Sequence, residues 1–381
     1  MRLLHTSDWH LGRSLISVPL IDEQRVFLQW LVEQVRAHEV DGVLISGDVY
    51  DRAVPSVEAI GLLEWALVEL SASASVVLIS GNHDSSTRLG FAGRLLEAAR
   101  VHVRSDVSDL TRPVVITGRA GDQCAVYCIP YLEPTLQAER LASERTHEGV
   151  LSAAMTHIRS AHDEQLPMVV LAHAFVTGGL GSDSERDVRV GGIPDAPVSL
   201  FEGAHYVALG HLHRPQQVGA ASGVQARYAG SPLAYSFSEE GQQKSVVLVE
   251  LSADGACEIE LLQAPQPRPL TTIRGELAEL LADPRLAPLE QHWIRAVLTD
   301  ARRPERPMDR LRERFPHTLQ LEFAPEGQLT SPSGQSPSLA QLDPAAVTAE
   351  FIEHVTGTPP TAQERALIDE AVMRVRIRQA S

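Results

Sequence analysis

The chain has 381 residues and a formal net charge of −16, with 33 basic and 49 acidic side chains. This length is enough for two or three domains, and a hydrophobic content of 44% is enough to bury a sizeable core. The acidic balance argues against nucleic-acid binding by bulk charge alone, because DNA affinity comes mainly from neutralising phosphates; bound cations or a partner protein would have to supply much of it.

The cysteine content and the apolar segments also predict the cellular compartment of the protein. The three cysteines, Cys124, Cys128 and Cys257, form no paired framework and are predicted to be buried thiols in a reducing environment. No apolar run approaches the ~20 residues that a membrane span needs. The first residues lead directly into a motif of metal-binding side chains, so no signal peptide is expected. We expect a cytoplasmic protein with no membrane partner.

Five apolar runs in the first 213 residues are typical of buried strands, and each is followed by side chains that can bind metal ions. In chain order, these side chains are Asp8 and His10, then Asp48, then Asn82 with His83 and Asp84, then His173, and finally His211 with His213. Polar groups placed just beyond strands are how an α/β sheet presents chemistry at its carboxyl edge. One or two such cases would be expected by chance, whereas five indicate a single site.

The segments between these runs predict the rest of the first domain. Helical spacing of apolar residues predicts helices over residues 22–38 and 56–70, and alternation of strand and helix implies parallel pairing. Strands are expected within residues 114–129 and helices within 130–162. Residues 178–192 are rich in glycine and charge, which predicts an exposed loop that either contacts substrate or is simply mobile.

A proline-rich stretch near residue 265 predicts a domain boundary, so residues 1–265 would form the first domain and residues 270–325 a small α+β unit. Within the second unit, the helical region over residues 302–314 holds six arginines and three acidic residues. This pattern fits a solvated helix face and a contact with the DNA backbone equally well. The arginines considered for DNA contact are Arg302, Arg303, Arg306 and Arg310.

The last part of the chain predicts a tail. Residues 326–342 are rich in Ser, Pro, Gly and Gln, which is typical of a linker. Residues 343–381 predict two amphipathic helices, the first opened by Asp343 and Pro344 and the second by a capping box over residues 361–364. Two such helices have little core of their own, so they must dock on the body or on another protein, and the linker favours another protein.

The residue types point to a particular chemistry. Carboxylate, amide and imidazole ligands without thiolate suit Mn, Fe or Zn better than Ca, and Mg alone would be unusual. Without His83 and Asp84, seven candidate ligands remain, which are too many for one ion and suit two, with Asp48 as a bridge. Two ions about 4 Å apart can clamp a phosphoryl group and generate hydroxide at neutral pH. His83 would then protonate the leaving oxygen, with Asp84 orienting it. Each histidine alone could instead be a satisfied core residue, an interpretation that fits His211 and His213 poorly because residues at i and i+2 of an extended stretch rarely both bury without cause.

The motifs resemble the calcineurin-like metallophosphoesterase superfamily. The residues that carry the resemblance are Asp8 to His10, Gly47 and Asp48, Gly81 to Asp84, His173, and Gly210 to His213. The longer sequence segments over residues 5–12, 210–214 and 228–232 resemble one family within this superfamily, the SbcD family, whose members are the nuclease subunits of bacterial SbcCD complexes. Over residues 1 to 260, the order and spacing of the motifs are similar to those of the family. The small domain and the C-terminal helices that follow are similar only in their general arrangement.

The resemblance implies an α/β (α+β) fold, in which a sandwich of two mixed β-sheets is flanked by helices. A small α+β capping domain that contacts DNA and a C-terminal helical tail that binds the partner would follow. It implies two Mn²⁺ ions, with Mg²⁺ less active. The first ion would be held by Asp8, His10, Asp48 and His213, and the second by Asp48, Asn82, His173 and His211. His83 would be the catalytic acid, supported by Asp84.

The activities that the resemblance implies belong to double-strand-break repair and hairpin processing. They are an ATP-dependent 3′-to-5′ exonuclease on duplex ends and an endonuclease on hairpins and single strands. The chain would act as a homodimer in a heterotetramer with SbcC, an SMC-like ATPase, at the nucleoid. Apolar residues on the helix predicted over residues 56–70 are candidates for the dimer interface. Asp51 stands where archaeal and eukaryotic relatives carry a second functional histidine, which puts a second proton donor in doubt.

Three other interpretations fit the same motifs less well. A phosphoesterase of small substrates, such as cyclic nucleotides or nucleotide sugars, would explain the net charge but not the partner-docking tail. An inactive scaffold would be expected to have lost a ligand, and the set is complete. A protein phosphatase would usually carry Glu at the position of Asp84.

Overall fold

The computed structural model describes residues 1–185, 196–219, 223–325, 344–356 and 359–379. These residues belong to two units, Met1–Pro325 and Glu326–Ser381. The predicted linker, residues 326–342, lies outside the described residues, as do residues 186–192 of the predicted loop. The two units are described separately.

The first sheet of the larger unit has six strands. Their spatial order is β14 (Cys257–Gln263), β13 (Ser245–Leu251), β1 (Arg2–Thr6), β4 (Gly42–Ile45), β5 (Ser75–Ile79) and β6 (Val101–Arg104). Strands β1, β4, β5 and β6 are parallel, as strand–helix–strand alternation predicts. Strand β13 is antiparallel to both β1 and β14, so a later hairpin completes the sheet beside the first strand.

The second sheet also has six strands. Their spatial order is β11 (Gln216–Val218), β12 (Ala226–Tyr228), β10 (Tyr206–Gly210), β9 (Met168–His173), β8 (Gln123–Ile129) and β7 (Val114–Thr117). The four inner strands are parallel, and the two edge strands are antiparallel to their neighbours. Both sheets are therefore mixed, which confirms the expected sandwich and corrects the simpler expectation of parallel pairing alone.

The two sheets pack face to face because successive apolar residues of each strand point to opposite sides. Leu3 and Val77 lie in the cluster between the sheets with Tyr206, whereas Leu4 and Val43 lie under the helices of the first sheet. Such strands are buried on both faces and must be continuously apolar. Helices α1 (Ile21–Ala37) and α2 (Val57–Ser71) cover the first sheet, and α5 (Pro134–Leu141) and α6 (His147–Ala161) cover the second.

Short elements connect these layers. They are the hairpin strands β2 (Ser14–Leu15) and β3 (Val18–Pro19), and the single-turn helices α3 (Ser86–Leu89) and α4 (Gly93–Leu96). Side-chain caps begin two of the longer helices: the Ser56 hydroxyl accepts from the Ala59 amide of α2 at 3.2 Å, and the Thr146 hydroxyl accepts from the Gly149 amide of α6 at 2.9 Å. Such caps satisfy amides that the helix itself leaves unpaired.

The cysteines are all free. Cys124 and Cys128 are buried between the two sheets, as predicted, whereas Cys257 on β14 is only half-buried. Burial raises the pKa of the Cys128 thiol to about 12. Thiols held in this protonated form are poor nucleophiles, so Cys128 acts as a small apolar core residue.

The predicted α+β unit is a three-stranded parallel sheet with two helices. Its elements are β15 (Leu270–Gly275), α7 (Leu277–Ala282), β16 (Trp293–Leu298), α8 (Pro307–Arg314) and β17 (Thr318–Phe323). It has its own apolar cluster, and a second cluster joins Leu270 and Trp293 to Leu233 and Tyr235 of the sandwich.

The helix predicted over residues 302–314 is shorter in the structure and begins only at Pro307. Arg306 precedes it with φ of +44°, outside the helical region. Proline fits the first position of a helix because its missing N–H would be unpaired there, and it disfavours helical backbone in the residue before it. Arg302 and Arg303 therefore lie in the connection before α8, not on the predicted helix face.

The smaller unit contains the two predicted tail helices, α9 (Pro344–Thr356) and α10 (Ala362–Gln379). The capping box opens α10 as expected. The Glu364 carboxylate accepts from the Thr361 amide at 2.7 Å, and the Thr361 hydroxyl accepts from the Glu364 amide at 3.3 Å. Within the described ranges, no helix combines the length and apolar character that a membrane crossing requires.

Candidate metal centre

The predicted ligands meet at one edge of the sandwich, where parallel strands of both sheets end. The first sheet contributes Asp8 and His10 after β1, Asp48 after β4, and Asn82, His83 and Asp84 after β5. The second sheet contributes His173 at the end of β9 and His211 and His213 just after β10. Contacts cross from one sheet to the other: the His211 amide donates to the Asp8 carboxylate at 3.0 Å.

Several of the predicted ligand residues adopt a backbone conformation that L-amino acids rarely use. The φ angles are +53° at Asp8, +45° at His10, +46° at Asp48 and +110° at His211. A non-glycine residue in such a region costs of the order of 1–3 kcal/mol and persists only where the surroundings enforce it. Four such residues at one edge of the sandwich indicate a functional site, where backbone strain of this kind is commonly found.

Glycines beside the ligands provide space for close backbone approach. A Cβ atom on Gly81 would lie 2.2 Å from Asp48 Oδ1, and one on Gly210 would lie 1.9 Å from the Ser46 carbonyl oxygen. The φ angle of Gly81 is outside the left-handed region. Gly81 is therefore required because a side chain would displace Asp48.

One group of ligands contains Asp8, His10 and His213, whose ligand atoms lie within 4.8 Å of one another. All three side chains are buried. The Nε2 atoms of His10 and His213 are 3.0 Å apart, and His10 Nε2 is 3.6 Å from Asp48 Oδ2. Two buried ring nitrogens that face each other beside two carboxylates form an arrangement that a shared cation would stabilise.

A second group surrounds the Asn82 side chain. Asn82 Oδ1 lies 2.9 Å from His173 Nε2 and 3.1 Å from His211 Nδ1. His173 Nε2 is in turn 3.7 Å from Asp48 Oδ2. Asp48 Oδ2 thus lies near a histidine of each group, which is the position that a bridging carboxylate needs.

The electrostatics of the site favour cation binding. Burial, reinforced by the neighbouring imidazoles, holds the pKa values of His10 and His211 well below the ordinary range, and burial lowers the pKa of His173 to about 4. Burial and the nearby Asp48 carboxylate raise the pKa of Asp8. Neutral imidazoles offer lone pairs, and cations relieve repulsion between buried carboxylates, so this donor set fits divalent metal ions.

His83 is held differently from the ligand histidines. Its Nδ1 donates to the Asp51 carbonyl oxygen at 2.8 Å, since a carbonyl can only accept, and its amide donates to Asp48 Oδ1 at 2.8 Å. The His83 ring packs edge-on against His10 with centroids 4.6 Å apart. A further group of close ligand atoms is formed by His10, Asp48 and His83. His83 therefore reaches the same centre through Nε2.

Asp84 has a backbone role. Its carboxylate accepts from the amides of Val49, Tyr50 and Gly81 at 3.1, 2.9 and 2.9 Å. These bonds tie the loop after β4 to the loop after β5. They differ from the predicted support of His83, which is provided instead by the Asp51 carbonyl.

Gln24 of α1 is a supporting residue that sequence reasoning missed. Its buried amide nitrogen donates to the His10 and Trp9 carbonyl oxygens at 2.7 and 3.1 Å, and the Tyr235 hydroxyl donates to the Trp9 carbonyl at 2.6 Å. These hydrogen bonds satisfy the two carbonyl oxygens and so stabilise the strained loop after β1. The available signal was a glutamine on the apolar face of a predicted helix.

A buried polar cluster behind His213 was also missed. Lys244 and Glu239 form an ion pair at 2.5 Å, Ser184 Oγ lies 2.5 Å from His213 Nδ1, and the His213 amide donates to Glu185 at 2.7 Å. Ser184 and Glu185 belong to the segment predicted as a loop that contacts substrate or is mobile, and here they contact His213, a predicted ligand. No sequence pattern links these residues.

His5 lies close to Asp8 and His10 in sequence but has a different role from the predicted ligands. It is buried between the sheets, where Nδ1 lies 2.9 Å from the Tyr206 hydroxyl and Nε2 lies 2.9 Å from Ser46 Oγ. Burial lowers its pKa to about 3. His5 is a satisfied core residue, the alternative that the sequence leaves open for each histidine.

The four arginines considered for DNA contact are all exposed. Arg306 pairs with Asp309 at 2.9 Å on the surface of α8. Two further arginines of the same region, Arg312 and Arg314, instead donate to backbone carbonyl oxygens within the three-stranded unit. The choice between a solvated surface and a DNA contact stays a prediction for Arg302, Arg303, Arg306 and Arg310.

Comparisons with known proteins agree with these features. Residues 1–215 match the calcineurin-like phosphoesterase family, and this range contains every predicted ligand. Residues 266–356 match the family described as the type 5 capsule protein repressor C-terminal domain. The chain is 28% identical over 375 residues to the SbcD subunit of the nuclease SbcCD of Staphylococcus saprophyticus, and the match covers 97% of each chain.

Proposed function

The chain belongs to the calcineurin-like phosphoesterase family, and on this basis we propose that it is the nuclease subunit of an SbcCD-type complex. Its proposed reaction is metal-dependent hydrolysis of DNA phosphodiesters. The observation that carries the proposal is the pair of buried ligand groups that meet at Asp48. A relative named as a nuclease subunit, similar along 97% of its length, supports DNA as the substrate over small phosphodiesters.

The proposed cofactors are two Mn²⁺ ions, with Mg²⁺ as a less active substitute. One ion would take Asp8, His10, Asp48 and His213, and the other would take Asp48, Asn82, His173 and His211. Imidazole-rich sites favour Mn²⁺ over Mg²⁺ because Mg²⁺ prefers oxygen ligands and retains its waters. Such ions, when bound, polarise phosphoryl oxygens and lower the pKa of water.

His83 is the proposed general acid. The Asp51 carbonyl oxygen occupies its Nδ1 proton, so Nε2 is the atom that can pass a proton to the leaving oxygen. His83 is 7% exposed and the ligand His10 is fully buried, which places His83 nearer to the solvent side of the site. Asp84 supports the reaction indirectly, by joining the two loops that carry Asp48 and His83.

The proposed activities are an ATP-dependent 3′-to-5′ exonuclease on duplex ends and an endonuclease on hairpins and single strands. The four exposed arginines before and on α8 would contact the DNA backbone. An SMC-like ATPase of the SbcC type is the proposed partner, bound by α9 and α10. Phe351 and Leu367 on these helices are largely exposed, and a partner surface would cover them. This partner would also offset the acidic charge of the chain.

The proposed assembly is a homodimer within a heterotetramer at the bacterial nucleoid. Helix α2 presents exposed apolar side chains along one stripe: Val57, Ile60 and Val68 are 83%, 47% and 61% exposed. Exposed apolar side chains on a helix that also covers the sheet are typical of a contact between protein chains. We assign the dimer contact to this face of α2.

The test is cleavage of an end-labelled duplex and a DNA hairpin by the purified chain in Mn²⁺ and in Mg²⁺. Each reaction is run with and without the ATPase partner and ATP, beside a small chromogenic phosphodiester. Mn²⁺-dependent cutting of DNA that is lost in His83→Ala would support both the nuclease activity and the acid. Turnover of the small diester, with DNA intact even in the presence of the partner, would assign the chain to small substrates instead.

A further inference from the structure

A buried ion pair lies directly behind the ligand His213. Lys244 is 0% exposed and Glu239 is 1% exposed, and Lys244 Nζ lies 2.5 Å from Glu239 Oε2. Lys244 also donates to the His213 carbonyl oxygen at 2.8 Å and to Ser231 Oγ at 3.1 Å. Buried ion pairs contribute little net stability, because desolvation offsets their attraction. Its position against a ligand residue therefore points to a role in holding that ligand.

Ser184 connects this pair to the imidazole of His213. Glu239 Oε1 is 3.8 Å from His213 Nδ1, too far for a direct hydrogen bond. Ser184 Oγ lies between them, 2.5 Å from His213 Nδ1 and hydrogen-bonded to Glu239 Oε1. Since the carboxylate can only accept, the Ser184 hydroxyl donates to Glu239, and its oxygen accepts from His213 Nδ1.

This direction of hydrogen bonding selects one tautomer of His213. With the proton on Nδ1, the lone pair is on Nε2, and Nε2 is the atom that lies 3.0 Å from His10 Nε2 in the ligand group. Hydrogen bonds from ligand histidines to outer carboxylates set both the tautomer and the ring orientation in metal sites. Here Ser184 connects the imidazole of His213 to the Glu239 carboxylate, and Lys244 holds this carboxylate in place.

We propose that Ser184 is a positioning residue of the metal centre, which, backed by the Glu239–Lys244 pair, presents Nε2 of His213 to the cation. The proposal rests on the proposed function, because it concerns the same ligand set. It also gives a role to the segment after β9, for which the sequence predicts a loop that either contacts substrate or is mobile. This segment is fastened at Ser184 itself, whose carbonyl oxygen accepts from Arg13 at 2.7 Å, and at Asp183, whose amide donates to Ser238 Oγ at 3.1 Å.

The first test measures Mn²⁺ binding to the metal-free chain by the electron paramagnetic resonance signal of free Mn²⁺. Removal of an outer hydrogen bond weakens metal affinity by about 10- to 100-fold. We therefore expect Ser184→Ala to weaken one Mn²⁺ site by this factor and to leave the other unchanged. The matched control is Ser238→Ala, which loosens the same segment without contact to His213 and should bind both ions as the wild type does.

The second readout is the tautomer itself, from nitrogen NMR of metal-free protein labelled at histidine, with His213→Asn to assign the signal. Wild-type His213 should carry its proton on Nδ1, and Ser184→Ala should lose this preference. Ser184→Ala that binds both ions normally, or weakening shared equally with Ser238→Ala, would overturn the proposal. So would a wild-type His213 protonated on Nε2. Wild-type protein that binds no Mn²⁺ would instead overturn the proposed metal centre, and this inference with it.

Discussion

The Nε2 atoms of His10 and His213 face each other at 3.0 Å across the buried edge of the sandwich. The two residues come from different sheets and are separated by 203 positions in the chain. Each ring has a carboxylate on its far side, Asp51 at 3.6 Å for His10 and Glu239, through Ser184, for His213. The His213 ring is held from behind by its hydrogen bond to Ser184, whereas His10 Nδ1 faces Asp51 beyond hydrogen-bond distance. The space in front of the two Nε2 atoms is where a cation would be held.

Asp48 should couple the stability of the chain to metal ions. Ions that bind only the folded state stabilise it by about 2.7 kcal/mol at a free concentration of 100 times the Kd. We expect Asp48→Asn to lose most of this gain, because Asp48 borders both ligand groups. The metal-free variant should be more stable than the metal-free wild type, because the repulsion between Asp8 and Asp48 is removed. Thermal unfolding with and without Mn²⁺ measures both effects, with exposed Asp309→Asn as the control.

Gly81→Ala should damage the metal centre through sterics alone. The new Cβ would lie 2.2 Å from Asp48 Oδ1, so this carboxylate must move. We expect Mn²⁺ affinity to fall at least tenfold. Gly61→Ala in α2 is the matched control, because a Cβ there meets no atom within 4 Å. It should raise stability by about 0.5–1 kcal/mol, as alanine does within a helix. Equal Mn²⁺ affinity in the two variants would contradict the steric explanation.

Gln24 should stabilise the strained loop after β1. Gln24→Leu leaves the His10 and Trp9 carbonyl oxygens without this donor, which typically costs about 1–3 kcal/mol for buried groups. Urea unfolding measures the loss, and a Mn²⁺ titration should show weaker binding because His10 is less well held. Gln29→Leu, on the exposed side of the same helix, should stay within about 0.5 kcal/mol of the wild type. A loss no larger than that of Gln29→Leu would exclude the supporting role.

His5 should make the metal-free chain sensitive to acid. Its folded pKa of about 3 is below the ordinary value of 6.5, so the unfolded chain takes up a proton first as the pH falls. The contribution of His5 is therefore present above pH 6.5 and is lost between pH 6.5 and 3, at about 1.4 kcal/mol per pH unit. Urea unfolding of His5→Gln from pH 7 to 5 should show a shallower slope. Exposed His157→Gln is the control, and an unchanged slope in His5→Gln would contradict the prediction.

The exposed stripe of α2 should mediate self-association. Val68→Glu places a charge among the exposed apolar side chains of this helix, and a charge buried in an interface is strongly unfavourable. Sedimentation should show a dimer for the wild type and a monomer for the variant. Mn²⁺ affinity should not change, because the stripe is on the outer side of the helix layer. Leu261→Glu, at another exposed apolar position on β14, should remain dimeric.

Local sequence was sufficient for much of the fold. The inner strands, the covering helices and the two tail helices follow from short-range patterns. Burial on both faces imposes a continuous apolar run, burial on one face imposes a repeat, and both are visible within ten residues or so. The antiparallel strand β13 was less predictable beside β1. Its pairing joins residues 2–5 to residues 247–250, and no local pattern states which strand a hairpin will join.

The candidate site was likewise predictable in part from local sequence. The amino-acid pattern is enough to say which side chains would meet, because each follows an apolar strand and parallel strands end at a common edge. How each side chain is held depends on the three-dimensional packing: Asp84 by backbone amides, His83 by the Asp51 carbonyl, and His213 by Ser184. These contacts join segments that are far apart in the chain. The identity of the candidate ligands is therefore a local property of this sequence, whereas their orientation is a property of the fold.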